Sequence, residues 1–213
     1  ELTEFLMSRT PVQHRDLPLK LLAYKAQHPQ EKIPLALVLI GAQGSGKTMW
    51  TECLQAAFNP YSVTLPSSAL RDVFQGWLER SLLAVINEVE AEDLEVGRDR
   101  LKALISDMQR PMNEKYRVAR QIKSFTQYIM TANERAAGAF SHGDRRMFVI
   151  GCPDKREYEF YARVRDWKDA GGGRALLHWL LNYDLKGWRP PSEAPMTPEK
   201  AMSHQESLSP VQK

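Results

Sequence analysis

The stretch "LALVLIGAQGSGKTMW", residues 35–50, is the strongest structural signal in the chain. Its first six residues are all apolar, which is typical of a β-strand covered on both faces of a parallel sheet. A turn with three glycines follows, and "MWTECLQAAF" (49–58) then has helical character. Glycines let backbone N–H groups close around a phosphate chain, and the N-terminus of the next helix adds partial positive charge. The stretch therefore predicts a strand, a phosphate-binding loop and a helix in succession.

The loop fits the pattern G-x-x-x-x-G-K-[ST] in full. We expect Lys47 to reach the β- and γ-phosphates of ATP and the Thr48 hydroxyl to bind Mg²⁺. A merely structural glycine turn has less support, because both flanking elements match the pattern. The residues predicted to bind the nucleotide are Gly41, Ala42, Gln43, Gly44, Ser45, Gly46, Lys47, Thr48 and Met49.

Apolar runs also predict strands at 61–65, 81–88, 125–133 and 146–152, and helical spacing predicts helices at 16–30 and within 67–80. Alternation of strands with helices predicts an α/β fold whose parallel, five-stranded sheet is flanked by helices and binds ligands at the carboxyl ends of its strands. We divide the chain into a helical lead-in (1–32), an ATPase core (33–157), a small helical lid (158–187) and a Pro- and Ser-rich extended tail (188–213).

Polar residues end two of the predicted strands. Glu88 follows "LLAVIN" and is the predicted Mg²⁺-proximal carboxylate that activates water, with Glu90 in reserve. The alternative is a surface acid after a strand. Asn87, just before Glu88, brings no charge and leaves the turnover rate in question. Asn133 follows "YIMTA" and is predicted to position water, although a lone Asn after a strand is usually a turn former.

Arg145 and Arg146 precede the last predicted strand. They can pair with surface acids, or reach the nucleotide of a neighbouring subunit and stabilise the charge of phosphoryl transfer. Spacing alone does not decide between these roles.

The composition adds few constraints. The chain has 29 basic and 26 acidic residues, so its net charge of +3 does not by itself indicate nucleic-acid binding. Two cysteines in unrelated contexts predict neither a disulfide framework nor a metal site, and a reducing cytoplasm is the expectation. No apolar run is long enough to predict a membrane span. Because the chain begins at Glu1, we expect a piece of a longer polypeptide.

The order of these motifs resembles the superfamily 3 helicases, and especially the helicase domain of phage and plasmid primase-helicase proteins. The resemblance rests on the glycine loop, the Glu-tipped strand, the Asn-tipped strand and "DRRMFVI" (144–150), and it covers most of the chain. It implies a P-loop NTPase core of the RecA/AAA+-like kind, a hexameric ring and ATP-driven 3′-to-5′ movement on single-stranded DNA during replication. It also implies an upstream primase or polymerase domain and expression from a phage or mobile element in a bacterial cytoplasm. Lys47, Thr48, Glu88, Asn133 and the Arg145/Arg146 pair fall on the matching motifs, and Arg146 is the preferred arginine finger.

The family also carries a β-hairpin that projects into the channel of the ring. The corresponding segment here, "QRPMNEKYRVARQIK" (109–123), has five basic residues and one acid, and its tip has turn character. Basic side chains there would hold phosphates without reading sequence, and an aromatic ring could stack on a base. The alternative is a solvated hairpin on an outer surface. The predicted DNA-binding residues are Lys115, Tyr116, Arg117 and Arg120.

Three functions follow from these patterns. The first is a DNA-translocating ATPase, the helicase part of a phage-type replication protein. The second is an ATPase that remodels protein partners, such as a helicase loader, against which the basic hairpin argues. The third is a nucleotide-binding oligomerisation module without turnover, which Asn87 favours and Glu88 opposes.

Overall fold

The computed structural model describes residues 1–72, 76–112, 120–140 and 144–201. The helices are α1 (Leu2–Leu6), α2 (Leu17–Gln27), α3 (Lys47–Phe58), α4 (Ala91–Ser106), α5 (Tyr158–Trp167) and α6 (Gly173–Leu181). The strands are β1 (Ala36–Ile40), β2 (Ser62–Pro66), β3 (Leu83–Asn87), β4 (Gln109–Met112), β5 (Arg120–Lys123), β6 (Gln127–Ala132) and β7 (Met147–Gly151).

Five strands form one parallel sheet in the order β2-β3-β6-β1-β7. The predicted α/β fold with a five-stranded parallel sheet flanked by helices is therefore confirmed. Four strands lie within their predicted ranges, and β2 extends one residue beyond its range, to Pro66. The strand β1 is central: Ile40 at its end is level with Ala132 of β6 and Gly151 of β7. The two remaining strands, β4 and β5, pair antiparallel as a separate hairpin.

Alternation along each strand sends side chains to two hydrophobic cores. On one face, Leu37 and Leu39 of β1 pack with residues of α1, α2, α3, α5 and α6. On the other face, Ala36, Val38 and Ile40 pack with α4 and with short helical turns. Because both faces are covered, every residue of β1 is buried, which explains its uninterrupted apolar sequence.

The helix predicted within 67–80 is wrong in form. The described residues there make two short 3₁₀ turns, Ser67–Leu70 and Gly76–Glu79. A glycine inside a helix costs about 1 kcal/mol relative to alanine, so Gly76 disfavours a continuous helix.

The longest of the described helices, α4, has no counterpart among the predictions. The acidic residues of its first turn, Glu92 and Asp93, are typical of a surface loop in the sequence. Negative charge is nevertheless favourable at a helix N-terminus, where the structure places them. Leu94, Leu101 and Leu104 then bury one face of the helix.

The C-terminal helices share the core of the sheet. Phe160 of α5 and Leu180 of α6 are buried in the same cluster as β1. The start of α6 lies so close to α3 that a Cβ on Gly173 would sit 2.7 Å from the backbone of Ala56. In the predicted tail, the Ala194 N–H donates to the Arg145 carbonyl oxygen (2.6 Å), and Lys200 is buried. The division into lead-in, core, lid and tail stays a prediction.

Among the described helices, none combines the length and the apolar character that crossing a bilayer requires.

Candidate nucleotide site

The glycine loop joins β1 to α3 at the carboxyl edge of the sheet. Gly44 and Gly46 have φ values of 82° and 93°, in the left-handed region that side chains rarely adopt. Gly41 is needed for a different reason, since a Cβ there would lie 3.0 Å from the Cβ of Cys152. At Gly46 a Cβ would also meet the Tyr161 ring at 2.8 Å. The glycines of the motif are thus required by backbone conformation and by close packing.

Lys47, the first residue of α3, is folded back over the loop. Its Nζ donates to the carbonyl oxygens of Gly41 (2.8 Å) and Ala42 (2.9 Å), and the side chain is buried. Burial lowers the pKa of Lys47, and Cys152, Glu134 and Glu88 act in the opposite direction. Both carboxylates therefore lie within electrostatic reach of the Lys47 ammonium. Thr48 beside it is exposed.

The sheet order brings Glu88 to the edge that carries the loop. The strands β1 and β3 flank β6, so their ends are about 10 Å apart. The chain leaves β1 toward β2 at one margin of the sheet, whereas it leaves β6 toward β7 at the other. Connections that diverge in this way open a crevice at the carboxyl ends of the strands, which is where ligands bind in such sheets.

Glu88 is held in an unusual conformation by its neighbours. Its φ is 52°, a left-handed value that costs a non-glycine residue on the order of 1 kcal/mol. The Glu88 N–H donates to Thr131 Oγ1 (3.0 Å), and the Thr131 hydroxyl donates to Asn87 Oδ1 (3.4 Å). Asn87 therefore anchors Thr131 through its amide oxygen. Strained backbone of this kind is concentrated at functional sites.

The other polar residues of this edge are exposed. Asn133 follows β6, and its carbonyl oxygen accepts from the Ala136 N–H (3.0 Å) at the start of the 3₁₀ turn Glu134–Phe140. Glu90 immediately precedes α4, and its N–H donates to Ser67 Oγ (3.0 Å). Glu134, which directly follows the predicted Asn133, also acts electrostatically on Lys47 and is not among the predicted site residues.

A cavity of about 400 Å³ opens on the α5 side of the loop. It is lined by residues 44–49 of the loop and α3, by Glu52, and by Tyr158, Tyr161 and Arg165 of α5. Glu88 and Asn133 are not among its lining residues. The Tyr161 hydroxyl accepts from the Arg156 N–H (3.0 Å), which fixes the ring against the loop.

The α5 residues were missed because they are more than 100 positions from the motif. Their spacing, at i, i+3 and i+7, places them on one face of a helix and is the signal that could have selected them. The Lys155 side chain also approaches this cavity, 3.9 Å from where a Cβ on Gly44 would lie.

The two predicted arginines lie at the opposite edge of the sheet. The Arg146 carbonyl oxygen accepts from the Ala36 N–H (2.8 Å) at the start of β1, about 13 Å along the strand from the glycine loop. Arg146 also donates to Ser106 Oγ (2.5 Å) and Asp144 Oδ1 (3.3 Å). Arg145 is exposed and pairs with Glu193 (3.1 Å). Neither side chain can reach the glycine loop of the same chain.

Most of the predicted DNA contacts lie outside the described residues, namely Lys115, Tyr116 and Arg117. The flanking strands β4 and β5 do form the predicted hairpin. Arg120 lies at the start of β5 and donates to both carboxylate oxygens of Glu79, at 2.8 and 2.7 Å.

The donor set at this edge fits a magnesium ion that is carried in with a nucleotide. Mg²⁺ prefers oxygen ligands and is usually bound by one or two protein groups together with substrate phosphates. The exposed Thr48 hydroxyl and the Glu88 carboxylate are oxygen donors of this kind. Across the described ranges, no cluster of three or more His, Cys, Asp or Glu could hold a metal without such phosphates.

The chain is similar to a viral replication protein. It is 30% identical over 127 residues to the DNA primase-polymerase of Nitratiruptor phage NrS-1, a match that spans 58% of this chain and 18% of that protein. Two solved apo structures of the NrS-1 C-terminal region cover 98% and 97% of this chain, with TM-scores of 0.76 and 0.73 and 22% identity. The chain spans about half of each structure, and at this identity the likeness establishes the fold alone.

A protein family of unknown function matches residues 39–146, which run from the end of β1 through the glycine loop to Arg146. Since this match covers half of the 213 residues, the chain belongs to the family DUF5906.

Proposed function

We propose that this chain is an ATP-hydrolysing DNA translocase, the helicase domain of a phage-type replicative primase-helicase. The observation that carries the proposal is the position of Glu88, which follows β3 at the same carboxyl edge of the sheet as a complete phosphate-loop motif with Lys47. A cation that binds phosphate and a carboxylate that activates water are the two groups that nucleotide hydrolysis requires.

The residues around the nucleotide have separate roles in this proposal. The loop N–H groups and Lys47 hold the phosphates, and bound Mg²⁺ neutralises charge on the phosphate oxygens. Glu88 accepts the proton of the attacking water, and Asn133 orients that water. Thr131 and Asn87 fix the backbone of Glu88, so the carboxylate is positioned before the substrate arrives.

The α5 cavity takes the nucleoside part of ATP. Tyr158 is 69% exposed, and its ring can stack on a base. Arg165 lies with its guanidinium carbon 5.9 Å from the centre of that ring and adds positive charge near the loop. The γ-phosphate then points toward the β3 and β6 ends of the crevice.

The arginines act between subunits in this proposal, because they lie at the far edge of the sheet from their own loop. Arg145 is the more available of the two, since a solvent-exposed ion pair contributes only about 0–1 kcal/mol and is easily exchanged. Arg146, which the sequence favoured, is held by Ser106 and Asp144. The resemblance to superfamily 3 helicases adds the hexameric ring, the 3′-to-5′ direction and a fused primase or polymerase domain.

Two further observations support DNA binding by this chain, namely its similarity to a phage DNA primase-polymerase and its basic hairpin. We infer that the hairpin residues Lys115, Tyr116 and Arg117 hold single-stranded DNA.

ATP turnover with and without single-stranded DNA tests the proposal. We expect the chain to hydrolyse Mg·ATP, single-stranded DNA to raise the rate, and the stimulation to disappear in Lys115→Ala/Arg117→Ala. The double variant Arg174→Ala/Lys186→Ala removes the same charge elsewhere and should respond to DNA normally. Turnover that is indifferent to DNA would instead favour a protein remodeller, and binding without turnover would favour an oligomerisation module.

A further inference from the structure

A second cavity, of about 550 Å³, lies at the amino edge of the sheet, opposite the glycine loop. We call it the amino-edge groove. Tyr61, Leu82 and Phe125 line it from the residues just before β2, β3 and β6. Leu78, Arg80 and Lys123 complete most of the wall, and Lys123 ends β5 at the base of the hairpin. The groove is thus continuous with the hairpin and distant from the nucleotide site.

The two aromatic rings of the groove stand on fixed backbone. The Tyr61 carbonyl oxygen accepts from the N–H groups of Leu82 (2.8 Å) and Leu83 (3.1 Å), while its side chain remains 55% exposed. The Phe125 carbonyl oxygen accepts from the buried Lys25 ammonium (2.6 Å). An exposed aromatic ring on a fixed backbone is a stacking platform for a nucleobase, since every base presents a π-face.

The charge of the groove is positive. Arg80 and Lys123 are both exposed, and neither makes an ion pair with another residue of the described ranges. The acid on the wall, Glu79, is already neutralised by two hydrogen bonds from Arg120. Exposed cations beside an aromatic ring match a polyanion that carries bases.

We propose that the amino-edge groove binds single-stranded DNA, with Arg80 and Lys123 on the phosphates and Tyr61 stacked on a base. The choice of DNA follows from this charge pattern and from continuity with the hairpin. The inference extends the DNA contact beyond the hairpin tip and does not depend on ATP hydrolysis, because the groove and the loop lie at opposite edges of the sheet.

Fluorescence anisotropy of a short labelled oligodeoxythymidylate, titrated with the chain at several salt concentrations, tests the groove. We expect Tyr61→Leu to weaken binding at least about fivefold, because it removes a stacking ring. The matched variant Tyr61→Phe keeps the ring and should bind normally. The slope of log affinity against log salt concentration is negative, and Arg80→Gln/Lys123→Gln should make it less steep by about 1.4. This is the value for two lost phosphate contacts on a single strand. Arg174→Gln/Lys186→Gln, which removes two distant cations, should leave the slope unchanged.

The competing outcomes are distinguishable. If Tyr61→Leu binds the oligonucleotide normally and Lys115→Ala/Arg117→Ala does not bind it, the hairpin is the DNA site and the proposal that the groove binds DNA is wrong. Displacement of the oligonucleotide by Mg·ATP would place it in the glycine loop and likewise overturn the groove. If an apolar peptide of a partner protein occupies the groove instead, the groove variants and their controls will bind the oligonucleotide equally. ATP turnover without any DNA binding would overturn the groove while leaving the nucleotide site intact. Thermal unfolding by circular dichroism checks that Tyr61→Leu is folded.

Discussion

Lys47→Ala is expected to reduce ATP turnover at least about 100-fold and to weaken Mg·ATP binding, because it removes the cation that holds the β- and γ-phosphates. The loss is large because Lys47 works in a buried setting, where charge interactions are screened less than in water. Isothermal titration with Mg·ATP and a phosphate-release assay measure the two effects.

Controls separate this chemical loss from misfolding. The Lys47 ammonium also donates to two loop carbonyls, so its removal can loosen the loop itself. Thr48→Val should not loosen the loop, since Thr48 is exposed and the change only replaces its hydroxyl with a methyl group. It should lower turnover in Mg²⁺ while the melting temperature stays unchanged. Lys20→Ala, at a surface pair with Asp16, serves as the neutral lysine control. Full turnover in both Lys47→Ala and Thr48→Val would contradict a phosphate-binding role for the loop.

Glu88→Gln is also expected to reduce ATP turnover strongly. We expect turnover to fall at least about 100-fold, the usual contribution of a general base, while Mg·ATP affinity stays close to that of the parent chain. The substitution keeps the backbone N–H that donates to Thr131, so the local structure should persist. Single-turnover hydrolysis combined with equilibrium nucleotide binding separates the two quantities.

Two neighbouring acids supply matched controls. Glu90→Gln changes an exposed acid two residues away and should leave the rate unchanged. Glu134→Gln tests the competing carboxylate near Lys47. If Glu134→Gln abolishes turnover and Glu88→Gln does not, the base is Glu134, and the assignment of Glu88 is wrong.

Glu88→Gly tests the link between backbone strain and function. Glycine adopts a φ of 52° freely, so this variant should be as stable as the parent or up to about 1 kcal/mol more stable. It should nevertheless lose turnover as Glu88→Gln does. Chemical denaturation measures this stability, and a clear destabilisation would mean that the Glu88 side chain has a structural role instead.

Most of the sheet could be predicted because its strands are largely apolar runs closed by turn signals, although β2 has a weaker pattern with one buried residue. Because β1 is buried on both faces, all of its side chains are apolar, and this run is visible directly in the sequence. The glycine loop could be predicted because its glycines are required by local backbone geometry. The hairpin at 109–123 was predicted from turn character and a family resemblance, and its strands form as expected.

The remaining features depend on contacts that local patterns do not encode. Tyr158, Tyr161 and Arg165 reach the loop only because α5 packs beside α3, more than 100 residues along the chain from the motif. The anchoring of Glu88 by Thr131 depends on β3 and β6 being neighbours in the sheet. The helix α4 was obscured by its acidic start, and Gly76 interrupts what helical spacing alone predicts.

In the proposed mechanism the glycine loop and Glu88 meet around one magnesium–triphosphate. A crystal structure of the chain with Mg²⁺ and a non-hydrolysable ATP analogue tests this arrangement. We expect the Lys47 ammonium to leave the carbonyl oxygens of Gly41 and Ala42 for the β- and γ-phosphates, Glu88 to face the γ-phosphate, and the base to lie beside Tyr158. A triphosphate bound elsewhere, or a γ-phosphate directed away from Glu88 with Lys47 still on both carbonyls, would contradict it.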